Sequence, residues 1–175
     1  MAEAYRSIAR IQKTHGRNGE VVAVPTHGLP LLLREGLEVA IVPPALKGPR
    51  RHRVGRCVDA PGGQLVTFED VRSLGDADAL VGKTVLARVA DLPTDLALHD
   101  VDALIGRDVF DERYGNLGSI SEVLRGPAQD VWVISGRYGE VLVPVVDAVV
   151  REFPPTGSIC VDLPRGLVDE EAPCE

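Results

Sequence analysis

The sequence predicts a mainly β protein whose short antiparallel strands form a barrel or a sandwich. Three observations lead to this prediction. Valine-rich apolar runs recur along the 175-residue chain, turn-forming Gly, Pro, Asp and Asn residues bound them, and one short segment carries helix signals. Regularly spaced short strands with turns between them are typical of antiparallel barrels and sandwiches. The length allows one large core or two small ones.

Seven of these runs are expected to form strands, three in the first half of the chain and four in the second. Their ranges are 19–24, 37–42, 84–89, 117–124, 130–135, 140–146 and 158–163. Gly16 and Gly19 precede the first run. They predict a tight turn because they lead into a strand, whereas a phosphate-binding glycine loop usually leads into a helix.

The helix signals lie at 73–82. Ser73 and Asp76 have the spacing of a capping box, in which each residue's side chain satisfies a backbone group near the other, and Gly82 offers a stop. The sequence therefore predicts one short helix among the strands of the first half.

A domain boundary is expected in the segment that follows the strand at 84–89. This segment, 91–100, contains a proline and shows no apolar alternation, which is typical of a linker. We predict a first domain at 1–92, a linker at 93–98, a second domain at 99–168 and an acidic tail at 169–175, which has no apolar periodicity to bury.

The charges are distributed unevenly between the two halves. The net charge is −7, but residues 1–92 have a balance of +3 and residues 93–175 a balance of −10. This asymmetry suggests that the first half tolerates phosphate and that the second attracts a basic surface.

Several classes of protein are disfavoured by what the sequence lacks. It has neither an apolar run long enough for a membrane helix nor a recognisable signal peptide, so a cytoplasmic protein is expected. Its three cysteines show no disulfide or zinc spacing, so we expect neither disulfide, metal nor cofactor. No spaced catalytic signature is present, and no catalytic residue is assigned.

A basic run within 47–56 is the clearest candidate for RNA contact. Its five cations can bind phosphate, arginine by paired hydrogen bonds, and add affinity through counterion release. A charged edge strand that prevents aggregation would explain the same residues, and both interpretations stay open. The candidate residues are Lys47, Arg50, Arg51, Arg53 and Arg56.

Trp132 is the only tryptophan, and it lies in a strand that has large apolar residues on both faces. One face can fill a barrel, while the other is either covered or exposed to a partner. Trp132 is therefore either a core or interdomain residue or part of a contact surface.

Five segments, taken in order, resemble the RimM family of ribosome maturation factors. They are 16-GRNGEVVAV-24, 68-FEDVRSLGDADALVGKTVLARVADLP-93, 104-LIGRDVFDERYGNLGSISEVLRGPAQDVWVI-134, 142-LVP-144 and 161-VDLPRGLVD-169. The resemblance implies a six-stranded N-terminal barrel like the second domain of translation elongation factors, followed by a PRC barrel.

The resemblance also implies a non-enzymatic role in ribosome biogenesis. Family members bind the pre-30S particle, assist maturation of the 16S rRNA head domain and bind the basic small-subunit ribosomal protein nineteen. A monomer with no membrane partner is expected. Two alternatives stay open, which are an RNA-processing enzyme and a PRC-barrel scaffold of another complex.

One departure from the family concerns the segment before 104-LIG-106. Many relatives carry an aromatic pair there that is associated with partner contact, whereas this chain has no aromatic residue over 98–106. His99 and Asp100 are the nearest positional equivalents. With Trp132, they are the candidate contacts for the ribosomal protein.

Overall fold

The computed structural model describes residues 3–46, 48–126 and 128–168. The chain divides into two compact units between Leu96 and Ala97. This division falls inside the segment 93–98 that is predicted as the linker. Each unit has a hydrophobic core of its own.

The first unit is a closed six-stranded barrel. Its strands are β1 (Tyr5–His15), β2 (Glu20–Pro25), β3 (Glu38–Val42), β4 (Arg51–Ala60), β5 (Gly63–Phe68) and β6 (Thr84–Arg88). They pair antiparallel in the closed order β1-β2-β5-β4-β3-β6, so each strand has two neighbours. Alternate residues of the regular strands point inward, as Val39 and Ile41 do in β3, and fill the barrel.

A short helix, α1 (Leu74–Asp78), follows β5. Ser73 caps it as predicted, because its side-chain oxygen accepts a hydrogen bond from the Asp76 backbone N–H. The helix ends earlier than the predicted range 73–82. The chain turns instead, and Gly82, in a left-handed conformation at φ 82°, donates its N–H to the Ile11 carbonyl and leads into β6.

Removing the cap should measurably weaken the first barrel. Ser73→Ala deletes the oxygen that accepts from Asp76 N, and loss of an N-cap costs about 1 kcal/mol of unfolding free energy. Urea denaturation followed by circular dichroism measures the change. Ser73→Thr keeps the acceptor and should unfold close to the parent protein, while equal stability of the parent and the Ala variant would contradict the assigned cap.

The cap should also depend on pH. Ser73 Oγ donates to Asp76 Oδ2 at 2.7 Å, and this hydrogen bond lowers the pKa of Asp76 below its ordinary value of 3.8. A carboxyl group whose pKa is lower in the folded state than in the unfolded state stabilises the fold at pH values above its unfolded-state pKa. This stabilisation is lost as the pH falls through the folded-state pKa. The stability difference between the parent and Ser73→Ala should therefore shrink under acid.

The second unit contains one six-stranded sheet and the single-turn helix α2 (Val101–Leu104). The strand order is β10-β9-β8-β7-β12-β11, and β7 and β12 pair in parallel while the other neighbours are antiparallel. The strands are β7 (Asp108–Asp111), β8 (Gly115–Leu124), β9 (Val131–Gly136), β10 (Gly139–Pro144), β11 (Val150–Glu152) and β12 (Ile159–Val161). The mainly β prediction is confirmed, but the prediction of purely antiparallel pairing is wrong for β7 and β12.

Cys57 and Cys160 carry free thiols, and Cys174 lies outside the described residues. Among the residues that the structure describes, none of the helices is long and apolar enough to cross a membrane.

Candidate functional site

The basic run of the sequence leads into β4, where it forms an outward row that we call the arginine strand (Arg50, Arg51, Arg53 and Arg56). Strand alternation exposes Arg51 and Arg53, and it turns His52 and Val54 inward. Arg50 is exposed just before the strand, and Arg56 lies within a register shift between Val54 and Cys57. Lys47 lies outside the described residues. The structure therefore brings four of the five predicted cations together.

The edge-strand interpretation of these arginines is wrong. β4 pairs with β3 on one side and with β5 on the other, and the barrel is closed. A closed barrel has no edge that needs protection from another chain. The row of outward arginines therefore needs another explanation.

Part of the row is paired with carboxylates of the same barrel. Arg51 Nη2 lies 3.1 Å from Glu3 Oε2, and Arg53 Nη2 lies 3.8 Å from Glu38 Oε1. Arg88, on β6, links the two acids at 3.5 Å from Glu3 and 3.6 Å from Glu38. These side chains are all at least partly exposed, so each pair contributes little to stability and the carboxylates can exchange for another anion.

Arg50 and Arg56 form no ion pair within the described ranges, and both are exposed. The backbone N–H of Arg56 donates to Thr67 Oγ1 at 2.8 Å, which holds the start of the bulged segment against β5. The arginine strand thus offers two guanidinium groups without an acidic partner beside two that are exchangeably paired. That arrangement can bind successive phosphates of a polyanion.

A small cavity of about 200 Å³ lies behind the strand and contains a histidine–carboxylate pair that the sequence did not indicate. His52 Nδ1 lies 2.8 Å from Asp70 Oδ2, and the imidazole packs edge-on against Phe68. The described residues that line the cavity include Lys83 but no serine, threonine or cysteine. The pair therefore lacks the nucleophile of a catalytic triad, and we interpret it as a partly buried structural contact.

In the second unit, His99 belongs to a compact polar cluster. Its Nδ1 lies 2.7 Å from Asp130 Oδ2, and Arg125 Nη1 lies 2.7 Å from the same carboxylate oxygen. Arg125 Nη2 also donates to the His99 carbonyl at 2.7 Å. We call these three residues the His99 cluster. It fastens the 3₁₀ turn at Leu96–His99 to the start of β9, so its first role is to hold the chain in place.

The three predicted protein contacts differ in accessibility. The side chain of His99 is 25% exposed, whereas Asp100 is buried at the start of α2. Trp132 is fully buried among the core residues of the second unit, with its ring 6.3 Å from that of Phe153. Of the two alternatives for Trp132, a core residue or a contact residue, the structure places it in the core. The indole presents no surface to a partner. His99 is thus the member of this set that reaches solvent.

Sequence reasoning missed Asp130 and Arg125. Arg125 and Asp130 are only five residues apart in 125-RGPAQD-130, and a loop containing Gly and Pro could have suggested that the chain turns back between them. Their meeting with His99 depends on the fold of the whole unit. In the described part of the chain, no group of three metal-ligating side chains occurs.

Known proteins resemble this chain over most of its length. The family model of the RimM PRC barrel domain matches residues 101–167. A ribosome maturation factor RimM from Streptomyces avermitilis is 34% identical and covers 94% of this chain and 90% of its own length. The RimM of Thermosipho melanesiensis is 32% identical, over 91% of this chain and 92% of its own. The solution structure of the N-terminal domain of RimM from Thermus thermophilus matches with 22% identity and a TM-score of 0.39, over 51% of this chain and 94% of that domain. The chain belongs to the RimM family of ribosome maturation factors.

Proposed function

We propose that this protein is a non-enzymatic, cytoplasmic assembly factor of the bacterial 30S subunit. In this proposal the second barrel binds the small-subunit ribosomal protein nineteen, and the first barrel contacts 16S rRNA of the pre-30S particle. The observation that supports it most directly is the division of charge in a chain of this family, +3 over residues 1–92 and −10 over residues 93–175.

The acidic character of the second barrel lies on its surface. Three aspartates are buried and serve the fold, namely Asp100, Asp111 and Asp130. The others that the structure describes are exposed: Asp102, Asp108, Glu112, Glu122, Glu140, Asp147, Glu152 and Asp162. A surface with many exposed carboxylates attracts a basic protein, accelerates its association and disfavours nonspecific contact with RNA.

The arginine strand supports an RNA contact on the first barrel. Arg50 and Arg56 have no acidic partner in the described ranges, and the pairs of Arg51 and Arg53 are exposed and weak. Phosphates of rRNA can replace Glu3 and Glu38 at these guanidinium groups, and they bind with the same paired geometry. The strand is rigid because both neighbours hold it, so the cations are positioned before RNA arrives.

The mechanism that follows is a shift of populations without a covalent step. A factor that binds one conformation of the assembling subunit head more tightly than another favours that conformation by the difference in binding free energy. Two weak contacts on one chain reinforce each other, because the first raises the effective concentration of the second.

Calorimetry with purified small-subunit ribosomal protein nineteen tests the protein contact. The full chain and residues 94–175 should both bind it, and binding should weaken between about 0.1 M and about 0.5 M salt because exposed charges are screened. Neutralising two second-barrel acids, Glu122→Gln with Glu140→Gln, should weaken binding several-fold.

The matched control removes the same charge from the first barrel, with Glu35→Gln and Glu69→Gln, both exposed. It should bind like the parent protein. Equal weakening by both pairs would show that only net charge matters and would count against a specific acidic receptor. Absence of binding by the full chain would overturn the proposal.

A further inference from the structure

The second barrel is acidic overall, but its few basic residues are not uniformly neutralised. All six are arginines, and four are engaged by groups of the barrel. Arg107 donates to the carbonyls of Pro154 and Gly157, Arg125 pairs with Asp130, Arg137 donates to the Tyr114 carbonyl, and Arg151 pairs with Asp162. The guanidinium groups of Arg113 and Arg165 have no carboxylate or carbonyl partner within the described residues.

These two arginines line one cavity, which we call the Arg113 patch (Arg113, Tyr114, Arg165, Gly166 and Val168). Both are exposed, and the space they line is an open surface depression of about 370 Å³. The Arg113 guanidinium lies 5.8 Å from the centre of the Tyr114 ring. A volume in the range of about 300–1,000 Å³ suits a small-molecule-sized group rather than a bare ion.

A third arginine borders the patch and makes it rigid. Arg137 donates to the carbonyl of Tyr114 and lies 4.6 Å from the centre of the Tyr138 ring, which in turn packs edge-on against Tyr114. Half of the arginines of the barrel therefore gather around one tyrosine. Such clustering is unexpected in a domain where acids outnumber arginines.

The nearest buried carboxylate does not neutralise the patch. Asp111 is 1% exposed, and its oxygens accept hydrogen bonds from the backbone N–H groups of Arg113, Tyr114 and Leu163. Glu112 is exposed beside Arg113 in sequence but forms no ion pair within the described ranges. Among residues 3–46, 48–126 and 128–168, no acid pairs with the two guanidinium groups, so within this part of the chain their charge is open to an external anion.

We propose that the Arg113 patch binds a backbone phosphate of RNA, with the adjoining nucleotide in the cavity. This inference rests on the proposed function and deepens it, since it places an RNA contact on the acidic barrel. Each of the two guanidinium groups can donate paired hydrogen bonds to phosphate oxygens, and its flat face can stack on a base. An acidic peptide has no base for such stacking. The surrounding acids repel RNA elsewhere on the barrel, so this contact fixes the orientation of the barrel on rRNA.

The test measures binding of the full chain to transcribed 16S rRNA and to a fluorescent oligouridylate, over a series of salt concentrations. Arg113→Gln and Arg165→Gln should each weaken binding to both probes by about tenfold, with a salt slope smaller by about 0.7–1. Arg151→Gln is the matched control, because it removes one exposed positive charge of the same barrel. It should bind like the parent protein. Unchanged fluorescence of Trp132 shows that each variant is folded.

Three outcomes overturn the inference. The first is equal binding by Arg113→Gln, Arg165→Gln and Arg151→Gln. The second is displacement of RNA by polyglutamate at matched charge, which assigns the patch to acidic protein segments. The third is no RNA binding by the parent chain. Calorimetry with ribosomal protein nineteen is independent of these results, so failure of the patch is distinguishable from failure of the proposed protein contact. If the patch alone fails, the parent chain still binds RNA through the first barrel.

Discussion

Replacing Asp111 with alanine should lower the free energy of unfolding of the second barrel by about 4 kcal/mol. Asp111 ends β7, and its carboxylate lies in the interior. Oδ1 accepts from the backbone N–H groups of Arg113 at 2.8 Å and Tyr114 at 3.0 Å, and Oδ2 accepts from that of Leu163 at 2.8 Å. Alanine leaves these donors without acceptors, and each buried unsatisfied donor costs about 1–3 kcal/mol.

Urea denaturation followed by tryptophan fluorescence measures this change. Trp132 is the only tryptophan and is buried in the core of the second barrel, so its emission reports on that barrel. Asp111→Asn keeps one acceptor oxygen but turns an amide N–H₂ toward a backbone donor, and it should lose nearly as much. Asp108→Ala, an exposed acid on the same strand, should stay within about 0.5 kcal/mol of the parent protein.

A loss below about 1 kcal/mol for Asp111→Ala would contradict the role assigned to this carboxylate. The same variant also bears on the Arg113 patch. Asp111 fixes the backbone from which Arg113 and Tyr114 project. Asp111→Asn at temperatures where it remains folded should therefore weaken RNA binding less than Arg113→Gln does.

The strands predicted from the sequence correspond to runs in which apolar residues dominate, so that the strand is evident from composition. Val-rich runs such as 140–146 correspond to β10 because apolar residues dominate both faces. β1 lies outside the predicted runs because Arg, Lys, Gln and His occupy many of its positions, as in YRSIARIQKTH, and β4 is indicated only as a charged edge strand. The strands β5, β7 and β11 also lie outside the predicted runs. In β4 the inward residue between Arg51 and Arg53 is a histidine, so the alternation of apolar and polar residues that indicates a half-buried strand is absent there.

Site residues were predictable to the extent that they are close in sequence. The arginines fall together because they lie within ten residues, and strand alternation then orients them. Their partners Glu3 and Glu38 come from distant positions that only the closed barrel brings near, as does Arg88, which pairs with the same two acids. Sequence spacing could not reveal that Arg51 and Arg53 are paired while Arg50 is not.

The parallel pairing of β7 with β12 could not be predicted for the same reason, because it also depends on residues that are distant in sequence. Both strands are short, and 158-SICVDL-163 by itself indicates a strand but not its neighbour. Pairing depends on the connection through β8 to β11 and on Asp111, which ties the end of β7 to the backbone at Leu163. Long-range contacts of this kind are tertiary, and local propensity does not contain them.

The second large effect is expected from Gly136→Ala, at about 3 kcal/mol of unfolding free energy. Gly136 ends β9 and faces Gly118 of the neighbouring strand β8. A methyl group there would lie 2.7 Å from the Gly118 Cα and 2.8 Å from the Leu117 carbonyl carbon, and closer still to the Leu117 oxygen. These are backbone atoms of a paired strand, so they cannot move without breaking the ladder hydrogen bonds between β8 and β9.

Gly139→Ala is the control that separates collision from backbone strain. Gly139 has a φ of 75°, which disfavours any residue with a Cβ, but an added Cβ would meet nothing within 4 Å. It should cost only about 1 kcal/mol. If Gly136→Ala proved no more destabilising than Gly139→Ala, then β8 and β9 would have room to separate at this point. The close approach of their two glycines would then not be what holds the strands in register.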